Sequence, residues 1–524
     1  MAAPSLRTAA DWVRSHTRLA HLALALAVVP LFVVAHHFDP SVPHAGAPGW
    51  WAWIDQGRYI EAVRAWAALS LDPARHWYFP GYPLLGAPFV GVMPDDPFYV
   101  ANLACLVASA WLFAALGERL APTLPGARII AGLVFLAELH LSRLMLRSFV
   151  EPWTTTPTIP LAFGCLLLCF RFQDRPGPRT AVLLGLVATA GALFRPADAL
   201  VLTAVAGCFA AACLVAAWPG SRRAAAIAAS GVLGAAAPLL LALALHLAVH
   251  GWNAGGYLSE SQTVGFEWRL LPLRWVIVAA SAVPLLDGEK SLSQAFFWFI
   301  PGLAGMASCL AVVHGRALAR HLLTITAALS HLALYLAYRD LQPQGVIRFG
   351  NYHYVRWELL LLGLYSVLLV LLVWRSRRAL RAWGLGMAVV FALFSWRADW
   401  TPATGYAAAP VVLSPHRLVL DGGLHSLFDG IRVGAGGDFA AIYLGPHTMT
   451  VDQRIWRASV DFKAWPVPGG FILTLQRPLL DETLTLSMAP PVTLDADRPA
   501  ALVHAGISMA PPWWMGQVLE QPQR

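Results

Sequence analysis

The sequence predicts a polytopic α-helical membrane protein with about eleven crossings and a C-terminal, mostly-β domain outside the membrane. Three observations predict it. Of 524 residues, 58% are hydrophobic and 13% are charged, where soluble domains carry about 25% charged residues. Apolar runs of near-spanning length follow one another from residue 19 to residue 396, with arginine gathered in the short connections between them. After residue 396 short stretches of alternating apolar and polar residues take over, separated by Gly- and Pro-rich turns. That is the period of half-buried strands.

A span needs roughly 20 apolar residues. The candidate runs are 19–35, 98–116, 129–146, 157–172, 180–194, 199–218, 224–247, 270–286, 296–313, 322–338, 357–374 and 382–396. Arg7, Arg14 and Arg18 precede the first run, and His36-His37-Phe38-Asp39-Pro40 after it is a poor cleavage site. The run therefore reads as a first span with a cytoplasmic N-terminus. The basic connections at Arg119 and Arg128, Arg171 to Arg179, Arg222-Arg223, Arg316 with Arg320, and Arg375 to Arg381 belong on the cytoplasmic side, by the positive-inside rule. That assignment holds throughout only if 270–286, with Arg269, Arg274, Pro272 and Pro284 in or beside it, makes no net crossing. Segments 36–97, 147–156, 248–295, 339–356 and everything after Trp396 then share the outer side. The expected domains are a membrane part, 1–396, with an outer loop at 36–97, and an extracytoplasmic β-rich part, 397–524.

The net charge of +8 does not mark a nucleic-acid binder, because the arginines act as topology signals. Only two lysines occur, Lys290 and Lys463, so any phosphate outside the membrane would be held mainly by arginine, whose planar fork suits phosphate oxygens. The six cysteines all lie in apolar runs, which argues for neither a disulfide framework nor a zinc site. No metal or cofactor is expected, although the charges of Asp55 and Glu151 are compatible with a divalent cation. Scarce lysine beside abundant alanine and arginine suggests a GC-rich bacterial source.

The unusual polar residues fall on the outer side. Asp55 opens a segment in which Tyr59, Ala62, Val63, Trp66 and Leu69 recur at helical spacing, so it is either a helix cap favoured by the dipole or a functional acid. Asp39 is the fallback. Glu151 follows Arg147 at helical spacing and is either its salt-bridge partner or a second functional acid. Arg195, in Leu193-Phe194-Arg195-Pro196-Ala197-Asp198, stands where positive charge is disfavoured, to bind an anion or to pair with Asp198. Arg356, in Asn351-Tyr352-His353-Tyr354-Val355-Arg356, opens a later run. Aromatic clusters at Trp50-Trp51, Trp53 and Trp77-Tyr78 read as interfacial belts.

Asp55-Gln56-Gly57-Arg58-Tyr59, followed by Phe79-Pro80-Gly81-Tyr82-Pro83, resembles the first outer loop of GT-C glycosyltransferases. These multi-span enzymes use polyprenyl-phosphate sugars and include protein mannosyltransferases and the lipid A aminoarabinose transferase. The Glu151 loop, the Arg195-Pro196 turn and the 348–357 segment resemble later motifs of that superfamily. The resemblance implies a GT-C-like fold and an inverting transfer of sugar from a polyprenyl-phosphate donor to an extracytoplasmic glycan, lipid or protein, in a bacterial inner membrane. It implies Asp55 as base, Glu151 as second acid, and Arg195, Arg356 and Arg58 as donor-phosphate ligands. Tyr59, Tyr82, Tyr352, His353 and Lys290 are candidate substrate contacts, with Glu260 and Glu267 weaker ones. A flippase or transporter of lipid-linked sugars, or an O-antigen-type ligase or polymerase, is the alternative.

Overall fold

The computed structural model describes residues 19–38, 54–266, 291–338 and 351–373, isolated positions between 267 and 290, and the backbone of eight strands between 411 and 503. Asp39, Lys290, Glu267, the side chain of Glu260, and the runs 270–286 (nearly all of it) and 382–396 lie outside the described residues. Compactness divides the chain into two units. One comprises 1–257, 296–334 and 353–390; the other comprises 258–295, 335–352 and 391–524.

In the first unit, helices follow the apolar runs closely. They are α1 (Leu19–Phe38), α2 (Ile54–Ala67), α3 (Gly81–Gly86), α4 (Tyr99–Leu120), α5 (Ala127–Leu141), α6 (Arg143–Val150), α7 (Thr158–Asp174), α8 (Pro178–Ala190), α9 (Pro196–Ala217) and α10 (Arg222–His250). After α11 (Gly256–Val264) come α12 (Phe299–Val312), α13 (Gly315–Ala337) and α14 (Arg356–Val373). Among the described residues, six helices are long and apolar enough to cross a membrane, which makes this a multi-pass membrane protein. α7, α8 and α12 are shorter.

One expected span is corrected. The run 129–146 is not one rod, because α5 stops at Leu141 and α6 leaves at 91° to it. Ser142 makes the break. Its backbone is extended, and its side chain accepts from the Met145 backbone N–H, capping α6. Arg143 and Arg147 then alternate with buried Met145 and Phe149, so α6 is amphipathic rather than uniformly apolar.

Two ends of the bundle can be told apart by their chemistry. At one end α4 and α7 finish and α13 begins. There Arg119 and Arg320 both pair with Asp174, Arg320 at 2.6 Å, and Arg128 pairs with Glu118. At the other end α4, α7, α9 and α14 begin, and almost every candidate site residue lies there. α10 finishes at that second end, where Tyr257 N donates to Trp77 O at 3.2 Å. α12 also starts there, with Trp298 Nε1 donating to Leu359 O at 3.0 Å. The chain therefore re-enters the bundle at the end from which it left.

Helix contacts in the membrane part depend on small residues, since lipid offers no hydrophobic gain for helix association. A Cβ at Gly305 would sit 2.0 Å from the Tyr365 carbonyl oxygen, and one at Gly234 would sit 2.2 Å from that of Val182. We expect Gly305→Val to cost about 1–3 kcal/mol through overpacking, read as a lowered unfolding midpoint in detergent.

In the second unit, described strands β1 (Val411–Ser414), β2 (Arg417–Leu420), β4 (Thr448–Val451) and β7 (Leu484–Ala489) form a sheet in the order β1-β2-β7-β4. β5 (Phe462–Val467), β6 (Gly470–Leu475), β3 (Gly430–Ile431) and β8 (Leu502–Val503) form another in the order β5-β6-β3-β8. All eight described strands thus lie after residue 396, where the alternating stretches predict them.

Candidate functional site

The first outer loop builds the floor of the site. Asp55 lies in the first turn of α2, where the helix dipole favours an acid. The loop returns through Trp77-Tyr78-Phe79, and the Tyr78 hydroxyl donates to Asp55 Oδ1. Tyr59, one turn along α2, is buried with its ring 4.6 Å from that of Tyr78 and 5.6 Å from that of Tyr82. Each such ring pair contributes about 0.5–1.5 kcal/mol beyond its buried area. Burial, and next the negative charge of Asp55, push the phenols of Tyr59 and Tyr78 well above their ordinary range. Both hydroxyls therefore keep their protons, and Tyr78 serves as donor.

α3 ties this floor to the arginine turn. The expected Pro-Gly-Tyr-Pro turn is a short helix, and a Cβ at Gly81 would lie 2.6 Å from the Leu193 carbonyl oxygen. Only glycine allows that approach, which sets α3 two residues before Arg195. Arg195 is buried, with extended backbone at the start of α9. Its Nη1 donates to Thr154 Oγ1 at 3.4 Å, its Nε lies 3.6 Å from Asp198 Oδ1, and its guanidinium stands 4.4 Å over the Tyr354 ring. Thr154, Asp55 and Arg195 all act on the Tyr59 phenol. Asp55 and Arg195 thus flank one group, made of half-buried Tyr78 with buried Tyr59 and Thr154.

The wall is the Trp153-Thr154-Thr155-Thr156 connector between α6 and α7, buried throughout. Arg356 holds it. This wholly buried guanidinium donates to Ser148 O, to Thr155 Oγ1 at 2.6 Å and to Thr156 Oγ1 at 2.9 Å. Thr155 Oγ1 also lies within hydrogen-bond distance of His353 Nδ1, 3.1 Å away, while the His353 ring stacks on Trp153 at 3.8 Å. These contacts give Arg356 and His353 a positioning role. Arg356→Met should cost about 3 kcal/mol, the scale of hydrogen bonds to a charged group, read as a lowered unfolding midpoint.

Glu151 is buried at the end of α6, with Arg147 Nε 2.5 Å from one carboxylate oxygen and Trp153 Nε1 donating to the other at 3.1 Å. Of the two roles expected for Glu151, the ion pair with Arg147 is the one this geometry displays. Tyr82 is buried and donates to Asn102 Oδ1 at 2.9 Å, and Asn102 in turn reaches the Val150 carbonyl at 3.3 Å. Tyr82 therefore braces α6. Arg58 is exposed, 5.0 Å from the Trp77 ring centroid and 3.9 Å from Glu61. Its partners lie outside the group of Tyr78, Tyr59 and Thr154. Tyr352 is buried and belongs to the second unit.

Sequence reasoning missed three participants. Tyr78 was read only as a belt residue and the threonines not at all. His331 was also passed over: its Nε2 lies 3.2 Å from Asp198 Oδ1, and its Nδ1 meets Glu358 Oε1. A histidine in the run 322–338 and a glutamate in 357–374 are expensive in a membrane, and that cost was the available signal. Among the described residues no group of three or more His, Cys, Asp or Glu side chains could hold a metal ion. Compared with known proteins, the chain matches no family model, no curated protein and no solved structure.

Proposed function

We propose that the chain is a membrane glycosyltransferase of the GT-C kind, taking sugar from a polyprenyl-phosphate donor at the bundle end that holds Asp55 and Arg195. The observation that carries this reading is the pairing of an acid and a buried guanidinium around Tyr78, Tyr59 and Thr154. Inverting displacement needs those two groups. Asp55 takes the proton of the acceptor hydroxyl as its oxygen bonds to the anomeric carbon. The bond from that carbon to the phosphate oxygen breaks, and Arg195 stabilises the departing polyprenyl phosphate. The gathering of arginine at the opposite end supports placing that end in the cytoplasm and the site outside a bacterial inner membrane.

The flippase reading has one observation in its favour. Glu138 in α5 is buried against Gly363, and neither carboxylate oxygen has a hydrogen-bond partner among the described residues. Such intramembrane acids recur in transport pathways. Mass spectrometry of envelope glycans and polyprenyl-phosphate sugars from a deletion strain separates the two. Transfer predicts the loss of one decoration with accumulation of its lipid donor. Unchanged glycans would refute it.

A further inference from the structure

We infer that buried His331 is a positioning residue: as an imidazolium it balances Asp198 and Glu358, so that their charge beside Arg195 does not oppose the donor's phosphate. The inference rests on the reading of Arg195 as phosphate ligand.

Four ionisable groups from three helices meet at the site end of the bundle. Arg195 and Asp198 open α9, His331 lies near the end of α13 and Glu358 lies in the first turn of α14. Asp198 Oδ1 is shared, 3.6 Å from Arg195 Nε and 3.2 Å from His331 Nε2. The opposite ring nitrogen of His331 meets Glu358, and the edge of the ring faces Trp357 at 5.1 Å. Asp198, His331 and Glu358 are all buried, so their charges interact at low dielectric.

The charge sum decides the role. With His331 neutral, Arg195, Asp198 and Glu358 sum to one negative charge, which opposes a phosphate. With His331 protonated the four sum to zero. The imidazolium then answers both carboxylates. A second anion beside Arg195 is tolerated in the protonated arrangement and repelled in the other. Arg195 also keeps Thr154 and the Tyr354 face as neutral guides.

The test is direct binding of farnesyl phosphate to the purified full-length protein in detergent, with no transfer reaction involved. His331→Gln should weaken binding about tenfold or more, because one unbalanced buried charge is worth that much. His331→Gln with Glu358→Gln restores the zero sum and should bring binding back to within about threefold of wild type. Glu358→Gln alone should bind at least as tightly as wild type. If the double variant binds no better than His331→Gln, while Arg195→Gln still abolishes binding, His331 only packs; this inference fails and the donor reading stands. If wild type binds farnesyl phosphate no more tightly than Arg195→Gln does, both fail.

Discussion

Asp55→Asn is expected to leave the protein in the membrane at wild-type level and to lower sugar transfer by about 10²–10⁴-fold, the contribution of a positioned general base. Asparagine keeps the size of the side chain and an acceptor for the Tyr78 hydroxyl, so folding is preserved while the proton acceptor is lost. Two controls sharpen this. Tyr78→Phe removes the hydroxyl that aims the carboxylate and should cost less than Asp55→Asn. A helix cap is worth only about 0.5–2 kcal/mol of stability. If Asp55 were merely a cap, Asp55→Asn would keep the cap, Asp55→Ala would lower the unfolding midpoint, and both would leave transfer unchanged.

The second large effect belongs to Arg195. Arg195→Gln should lower transfer by about 10²–10³-fold, the usual loss when a donor to the developing anion is removed. Arg195→Lys should recover little. The guanidinium reaches Thr154, Asp198 and the face of Tyr354 at once, and an ammonium is a point charge without that planar fork. Donor competition assays on the two variants, at matched protein levels in membranes, measure the difference. An Arg195→Lys enzyme with full activity would reduce Arg195 to a simple counter-charge.

Much of the bundle was legible because a span needs a long apolar run, and such runs announce themselves. Every described helix from α4 to α10 overlaps an apolar run, but the run 129–146 is divided between α5 and α6, and there the break lies in polar detail. Ser142 is one hydroxyl in an otherwise apolar stretch, and its capping bond to Met145 ends a rod that hydropathy alone continues. Arg195 stood out because positive charge is disfavoured at its turn, and Asp55 because it opens a helical segment in the outer loop whose motif resembles that of GT-C enzymes. Their neighbours did not. Thr154 to Thr156 are ordinary residues whose role comes from packing across α7, α9 and α14. Arg356 looked like a phosphate ligand for the same reason as Arg195, yet its donors are taken up by Ser148, Thr155 and Thr156. Sequence shows that a buried cation needs partners; only the fold shows whether they are protein or ligand.

The most direct test of the central claim follows polyprenyl phosphate itself. Membranes carrying wild-type or Asp55→Asn protein are incubated with extracted polyprenyl-phosphate sugars and envelope acceptors, and free polyprenyl phosphate is measured by mass spectrometry. Wild-type membranes should release it together with a glycosylated acceptor, and Asp55→Asn membranes should release neither while still binding the donor. Movement of the intact lipid-linked sugar between leaflets, with no release in either sample, would contradict the account.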